Sequence, residues 1–261
     1  MLLPHLKGRP LTLVRFPDGV EGFRFYEKRA PKGAPDWVKT ARVGFDRAGE
    51  IDFVVCEEPA TLVWLAQIAA LELHPSLSKA RNMEVPTSMV FDLDPGPPAA
   101  IRECCVVGLR VRELFADLGL ECFAKASGSK GLQVYVPLNG RTTYERTKPY
   151  AQAVAQALER AEPDLVVSKM TKKLRMGKVL VDWSQNTRSK TTVSVYSLRA
   201  RERPTVSTPV TWDEVEAGAA GKTELRFEGA EVLARIEKHG DLFAPVLELK
   251  QTLPRKKLDA G

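Results

Sequence analysis

The chain has 261 residues, of which 44% are hydrophobic and 28% charged, and its formal net charge is +6. This composition argues against wholesale disorder, and the absence of an apolar run of about 18 residues argues against a membrane span. The four cysteines form no CxxC pair, so we expect buried thiols and a reducing, cytoplasmic location instead of a disulfide framework.

Alternation of apolar and polar residues, helical periodicity and turn residues predict the secondary structure. In chain order, we expect a hairpin (11–16 and 23–28), a second hairpin (41–45 and 51–56), an apolar helix (60–73), a strand (88–94), a helix (98–118), two strands (121–126 and 132–137), a helix (147–161), strands within 174–183 and at 191–198, and a terminal helix (228–243). This order predicts an α+β fold with mixed or antiparallel sheets flanked by helices.

The Pro-rich stretch 204–213 is interpreted as a surface crossing, not as a linker between domains. We therefore predict one domain over 1–261, with a possible division into an N-terminal part (1–87) and a catalytic part with a C-terminal helix (88–261). We also expect a monomer.

Positive charge is concentrated in one part of the chain. Segment 169–203 holds ten Lys or Arg residues and only two acidic ones, so it carries +8 while the remainder sums to −2. A solvated basic surface would explain this distribution, but a basic segment around a lone aspartate is also what a phosphate-handling site requires.

Two aspartates stand one residue apart at the end of the apolar strand MVFDLDPG. Asp92 and Asp94 must project from the same face, where their like charges are costly unless protonated, solvated or bridged by a cation. Asp182 also ends an apolar strand, VLVDW. If the two strands are neighbours, three carboxylates converge, and such hard oxygen ligands suit two Mg²⁺ or Mn²⁺ ions.

The segment SGSKG joins two predicted strands. Its glycines allow backbone N–H groups to turn toward an anion, while Ser127 and Lys130 add a hydroxyl and a positive charge. The spacing is not that of a P-loop, and an ordinary hairpin turn is the alternative. Beside the two aspartates, it becomes a candidate triphosphate cradle.

FDLDP, SGSKG, VDWSQN and SKTTVSVYSLRAR, in this order, resemble the polymerase domain of bacterial ligase D. The resemblance runs from about Leu6 to about Phe243. It implies the catalytic core of the archaeo-eukaryotic primase superfamily and template-directed nucleotidyl transfer in non-homologous end joining. It further implies two metal ions, often Mn²⁺, and a preference for ribonucleotides.

The resemblance also implies roles for individual residues. Asp92, Asp94 and Asp182 match catalytic metal ligands. The other matches are triphosphate contacts (Ser127, Lys130 and Gln185), a histidine near the sugar (His74), arginines facing the nucleotide or template (Arg199 and Arg201), base-stacking aromatics (Phe25 and Tyr26), and an arginine in a loop beside the site (Arg175).

Three of these residues have simpler alternatives. His74 would cap the C-terminus of the predicted helix 60–73, and strand alternation would place one ring of Phe25 and Tyr26 in the core. Gln133 departs from the family, whose usual histidine here can be protonated, so nucleotide affinity or metal preference is expected to differ.

The implied partners are DNA as primer-template, gaps or broken ends, and NTPs or dNTPs. Since no ligase module follows Gly261, we expect a separate DNA ligase and the Ku end-binding protein, with the chain at the nucleoid. Two alternatives remain: a catalytically weak nucleic-acid-binding protein of the same fold, and a DxD phosphatase with an aspartate nucleophile.

Overall fold

The computed structural model describes residues 1–45 and 49–254. Its helices in these residues are α1 (Leu2–Leu6), α2 (Pro59–Gln67), α3 (Ile101–Asp117), α4 (Tyr144–Ala161), α5 (Trp212–Ala219), α6 (Gly229–His239) and α7 (Pro245–Glu248). Its strands are β1 (Pro10–Arg15), β2 (Phe25–Glu27), β3 (Thr40–Phe45), β4 (Gly49–Val55), β5 (Ala70–Pro75), β6 (Ser78–Lys79), β7 (Asn82–Pro86), β8 (Ser88–Pro95), β9 (Phe123–Ala126), β10 (Leu132–Pro137), β11 (Val166–Val167), β12 (Val179–Asp182), β13 (Leu198–Arg199), β14 (Thr205–Val206) and β15 (Thr208–Val210).

The first sheet contains both predicted hairpins. β1 pairs antiparallel with β2, and β3 pairs antiparallel with β4, although the turn after β3 lies partly outside the described residues. β5 joins β1 along its other edge. Apolar residues of these strands, α1 and α2 form a separate hydrophobic cluster that includes Leu11, Leu13, Trp64 and Leu65. This sheet therefore has a core of its own.

The second sheet has the order β11-β12-β8-β10-β9-β15. Its neighbours are antiparallel except β11 and β12, which run parallel. Both sheets are flanked by helices, so the predicted α+β class with mixed and antiparallel sheets is confirmed.

Alternation along β8 separates the core from the opposite face. Met89, Phe91 and Leu93 belong to the largest hydrophobic cluster, together with apolar residues of α3 and α4. The opposite face carries Asp92 and Asp94, because successive side chains of a strand project to opposite sides. The core-facing residues thus anchor the strand that presents the two carboxylates.

The predicted helix over 60–73 is wrong in its second half. α2 ends at Gln67, Ala69 takes a positive φ of 56°, and the chain then continues as β5. Helix and strand cannot be distinguished by periodicity in a continuous apolar run, and pairing with β1 decides for the strand. His74 therefore lies in a strand, and its interpretation as a helix cap is also wrong.

The predicted strand 191–198 is mostly irregular. Its backbone hydrogen bonds go to different segments, with Ser194 donating to the carbonyl of Leu73 at 2.8 Å and Tyr196 to that of Ser207 at 2.7 Å. Tyr196 also has a positive φ of 63°, which interrupts an extended strand.

The stretch 204–213 is not a simple surface crossing. It forms β14 and β15, and β15 extends the second sheet by pairing with β9, with Thr208 opposite Ala126. The terminal helix is also shorter than predicted, because α6 ends at His239 before Gly240, whose φ is 68°. Within the described ranges, no helix combines the length and apolarity that crossing a membrane would need.

Candidate active site

The three predicted aspartates meet on neighbouring strands. β12 pairs antiparallel with β8 so that Asp182 stands directly opposite Asp92, and Asp94 lies two residues further along β8 on the same face. Residues directly opposite in such a pair have Cβ atoms about 4.5–5.5 Å apart. The condition for convergence of the three carboxylates, that the two strands are neighbours, is therefore met.

Asp182 is held by the segment that follows it. Its Oδ1 accepts hydrogen bonds from the backbone N–H of Ser184 at 2.8 Å and from the Ser184 hydroxyl at 2.5 Å, and Oδ2 accepts one from Gln185 Nε2 at 3.1 Å. Gln185 therefore contacts a candidate metal ligand, which the sequence did not predict.

Asn186 attaches this segment to β8. Its side chain accepts a hydrogen bond from the backbone N–H of Val90 at 2.9 Å and donates one to the Val90 carbonyl at 2.7 Å. The buried amide thus occupies the place of a further strand residue where β12 has ended, and it fixes the position of Asp182 relative to Asp92.

A row of polar side chains continues across the sheet from these aspartates. Gln133 on β10 pairs with Asp92, and Lys125 on β9 pairs with Gln133. Lys125 is fully buried and donates a hydrogen bond to Ser207 Oγ at 2.7 Å. No motif in the sequence singles out Lys125, because a lysine in an otherwise apolar strand gives no sign of its burial.

The surroundings of Asp92 and Asp94 on β8 disfavour their ionised forms. Removal from water, and then the charge of Asp94, raise the pKa of Asp92 to about 7. Removal from water and the charge of Asp182 raise the pKa of Asp94, while Arg175 and Arg199 act in the opposite direction. Burial lowers the pKa of Lys125 to about 7. This clustering of negative charge favours a cation at the site.

The SGSKG segment forms a tight loop beside the aspartates. Ser127 Oγ accepts hydrogen bonds from the backbone N–H groups of Ser129 and Gly131, each at 3.2 Å, so this hydroxyl organises the loop. A Cβ on Gly131 would lie 2.1 Å from the carbonyl oxygen of Leu93, between the two aspartates of β8. Only glycine allows this approach.

Lys130 and both arginines of SLRAR lie around this loop. Lys130 is exposed and lines a groove of about 360 Å³ with Arg226. Arg199 Nη1 donates to the Ser127 carbonyl at 3.5 Å, and Arg201 donates to the Ser129 hydroxyl. The structure thus brings together Ser127, Lys130, Arg199 and Arg201.

His74 and the aromatic pair lie on the first sheet. Tyr26 is 69% exposed and meets the His74 ring edge-on, with centroids 6.2 Å apart. Phe25 is partly exposed, so the expectation that one of the pair enters the core is wrong. Phe23, which the sequence analysis missed, is 66% exposed and stacks on Phe25. Its only sequence signal is its place in FRFYEK.

Arg175 lies in a loop that is attached to the end of β8. The Gly96 N–H donates to the Lys178 carbonyl at 2.8 Å, and the Gly177 N–H donates to the Gly96 carbonyl at 3.1 Å. A Cβ on Gly96 would lie 1.9 Å from the Arg175 carbonyl oxygen. The charge of Arg175 also opposes the rise in the pKa of Asp94, so this arginine is near the aspartates.

The donor set fits a hard divalent cation. Three carboxylates lie on the neighbouring strands β8 and β12, and the buried Gln133 Oε1 has no hydrogen-bond partner among the described residues. Within 1–45 and 49–254, no three acidic, histidine or cysteine side chains already close around one point as metal ligands. Hydrogen bonds from Ser184 and Gln185 hold the Asp182 carboxylate against the segment that follows β12.

The chain is similar to known proteins along most of its length. A family described as "LigD, primase-polymerase domain" matches residues 1–243. The chain belongs to this family. The family assignment confirms the resemblance and the prediction of a DNA-directed nucleotidyltransferase, and it leaves the phosphatase alternative without support.

Individual LigD proteins are also similar to this chain in sequence. The multifunctional non-homologous end joining protein LigD of Mycolicibacterium smegmatis is 42% identical over 248 residues, which cover 94% of this chain and 32% of the relative. The bifunctional LigD of Bacillus subtilis is 33% identical over 240 residues, covering 92% and 38%. This chain therefore spans about a third of the length of these relatives.

A solved structure, the polymerase domain of Mycobacterium tuberculosis ligase D in complex with DNA, matches with a TM-score of 0.88 and 40% sequence identity. The match covers 96% of this chain and 88% of that one. The fold predicted from the family is therefore confirmed over nearly the whole chain.

Proposed function

We propose that the chain adds nucleotides, preferentially ribonucleotides, to a primer 3′-hydroxyl as directed by a DNA template, during end joining or gap filling. The observation that carries this proposal is the convergence of Asp92, Asp94 and Asp182 beside the glycine-containing loop 127–131. Carboxylates next to an anion-binding loop are what phosphoryl transfer from a nucleoside triphosphate requires.

The three aspartates would hold Mg²⁺ or Mn²⁺. Two bound ions would lower the pKa of the primer hydroxyl and neutralise charge on the triphosphate and the leaving pyrophosphate. Asn186 and Ser184 contribute by fixing the Asp182 carboxylate in advance. The protein thus supplies positioning and electrostatic preorganisation, not a covalent intermediate.

The positive side chains around loop 127–131 would bind the triphosphate. Lys130 is exposed at the groove, Arg201 contacts Ser129, and Arg199 contacts the Ser127 carbonyl. Ser127 would act chiefly by holding the loop amides in place, since its Oγ already accepts two of them. Gln185 would act through its contact with Asp182.

The first sheet would hold the sugar and the template bases. His74 is directed toward the exposed ring of Tyr26, and Phe23 and Phe25 of the same hairpin segment form a stacked pair. Stacking of a base on an aromatic side chain contributes about 1–3 kcal/mol. Arg175 and the exposed lysines of its loop would contact DNA phosphates.

We further propose that a separate DNA ligase seals the product, that Ku brings the chain to broken ends, and that it acts as a monomer in the cytoplasm at the nucleoid. A single domain over 1–261, divisible at about residue 87, remains our prediction.

Primer extension on a gapped duplex tests the function directly. With Mn²⁺, we expect template-directed incorporation of both rNTPs and dNTPs, with a higher kcat/KM for rNTPs. Salt-sensitive DNA binding without incorporation in either Mg²⁺ or Mn²⁺ would contradict the proposal and favour a nucleic-acid-binding protein.

Lys130→Ala is expected to raise the KM for the nucleotide by about tenfold with a smaller change in kcat. The reason is that Lys130 is exposed and available to a phosphate without supporting the fold. Steady-state kinetics of primer extension measure both constants. Lys222→Ala, on an exposed turn, is the control. Unchanged KM and kcat in Lys130→Ala would remove this lysine from the site.

Asp92→Asn is expected to change the pH dependence of stability. In the metal-free fold, the pKa of Asp92 is raised to about 7, so the folded state favours the protonated carboxyl. The stability of the fold is therefore higher at low pH, where Asp92 is protonated, and this advantage is lost as pH rises through about 7. With EDTA, the Tm of Asp92→Asn should exceed that of the wild type by about 3 °C or more at pH 8, and by less at pH 5.

Mn²⁺ should then raise the Tm of the wild type at pH 8 and have little effect on Asp92→Asn. Asp117→Asn, exposed at the end of α3, serves as the control and should follow the wild type at both pH values. Identical pH slopes in the wild type and Asp92→Asn would contradict this expectation.

A further inference from the structure

Glu72 is a buried carboxylate that the sequence does not single out. It lies on β5 with only 5% of its surface exposed, between the apolar residues Leu71 and Leu73. A glutamate is almost never buried to this extent unless it is paired, because removal of its charge from water is costly. Its partners therefore indicate what it does.

The two carboxylate oxygens face two residues of the proposed nucleotide site. Glu72 Oε2 lies 3.2 Å from His74 Nε2. Glu72 Oε1 lies 3.2 Å from Arg199 Nε and accepts a hydrogen bond from the backbone N–H of Ala200 at 3.1 Å. One carboxylate thus connects the first sheet to β13, which carries Arg199.

This contact determines which nitrogen of His74 carries the proton. A carboxylate can only accept, so Nε2–H donates to Glu72, and in the neutral ring Nδ1 keeps its lone pair. Burial lowers the pKa of His74, which keeps the imidazole neutral near pH 7. Among the described residues Nδ1 makes no hydrogen bond, and the side chain is 12% exposed, so this acceptor is left available to a ligand.

The same carboxylate holds Arg199 from one side. Glu72 approaches Nε, which leaves the terminal guanidinium nitrogens toward the phosphate loop, with Nη1 at 3.5 Å from the Ser127 carbonyl. A Cβ on Gly128 would lie 2.7 Å from Arg199 Cγ, so the arginine stem lies directly over this loop. The acceptor His74 Nδ1 and the cation of Arg199 are therefore held in place by the same carboxylate.

We propose that Glu72 is a positioning residue for the incoming nucleotide, holding His74 Nδ1 as the acceptor for a sugar hydroxyl and Arg199 against the triphosphate loop. This inference rests on the proposed function. The sugar hydroxyl is the 2′ or the 3′ group, and the two give different kinetic results. Glu72 does not contact the reacting atoms and acts through these two residues.

The tautomer of His74 can be measured without nucleotide or activity. The chain has three histidines, so ¹⁵N-correlated NMR of their rings is readily assigned with a His74→Gln variant. We expect His74 as the neutral Nε2–H tautomer at pH 7, and a loss of this preference in Glu72→Gln, whose amide can donate as well as accept. A neutral Nδ1–H form, an imidazolium, or a His74 signal unchanged by Glu72→Gln would overturn the proposal.

Kinetics separate positioning from a purely structural role. Glu72→Gln should raise the KM for an rNTP by about tenfold or more with kcat within about threefold, and Glu72→Asp should restore part of this loss. A selective loss for rNTPs relative to dNTPs identifies the 2′-hydroxyl. An equal loss for both that is smaller with 3′-deoxynucleotides identifies the 3′-hydroxyl.

Glu50→Gln, an exposed glutamate on β4 that pairs with Arg42, is the matched control and should behave as the wild type. An unchanged KM in Glu72→Gln, or a fall in kcat alone, would overturn the proposal. If Glu72→Gln does not fold, the His74 tautomer in the wild type still tests the first part of the proposal, and a KM for rNTPs unchanged in Glu72→Asp overturns the second. If the wild type itself incorporates no nucleotide, the proposed function fails, while the NMR measurement still decides the role of Glu72.

Discussion

Asp92→Ala is expected to abolish primer extension, with a loss of at least about 1000-fold in kcat. Asp92 stands directly opposite Asp182 and two residues from Asp94, so its removal takes one carboxylate from the centre of the proposed cation site. Metal-assisted phosphoryl transfer depends on such ligands for both positioning and charge neutralisation.

The fold should survive this change. The pKa of Asp92 is raised by removal from water and by neighbouring carboxylates, so the ionised side chain destabilises the metal-free protein. A Tm equal to or above that of the wild type at pH 8 in EDTA would separate lost chemistry from lost structure. Asp117→Ala is the control, and activity of Asp92→Ala within tenfold of the wild type would refute the assignment.

Gly131→Ala is expected to lower kcat/KM by at least about 100-fold and to reduce the Tm. The added Cβ would lie 2.1 Å from the Leu93 carbonyl, so loop 127–131 or the strand carrying the two aspartates must move. The hydrogen bonds that close the loop, Ser127 N–H to the Gly131 carbonyl at 2.9 Å and Gly131 N–H to Ser127 Oγ at 3.2 Å, would be lost or distorted.

Gly140→Ala is a matched control for this substitution. Gly140 is exposed, and the nearest atom to its added Cβ would be the Leu138 carbonyl oxygen at 3.5 Å, an ordinary contact. Primer-extension kinetics and thermal unfolding measure both effects. Wild-type values for Gly131→Ala would show that the loop can move away from β8 without cost.

The sequence predicted those parts of the site that local patterns encode. Alternation in MVFDLDPG placed Asp92 and Asp94 on one face, and the apolar run before Asp182 predicted a strand, which β12 confirms. Only the structure shows that this strand lies beside β8. SGSKG was predicted as a loop between strands, which β9 and β10 confirm. The fold class followed from the order of elements and from the family.

Residues that act through distant contacts could not be predicted in this way. The role of Glu72 depends on its ion pair with Arg199, which lies 127 positions further along the chain. Lys125 is likewise buried against Ser207 of a different segment. The second half of the helix predicted over 60–73 failed for a related reason, because pairing with β1 decided between two conformations that the apolar run allowed equally.

The attachment between Gly96 and Gly177 has a thermodynamic consequence. Its backbone hydrogen bonds join the end of β8 to the loop of Arg175, so that loop cannot shift without displacing the chain next to Asp94. If DNA holds the loop in one position, the free energy of nucleotide binding must change by the same amount as that of DNA binding does when nucleotide is present. We therefore expect the affinities for the two substrates to be linked reciprocally through one short stretch of main chain.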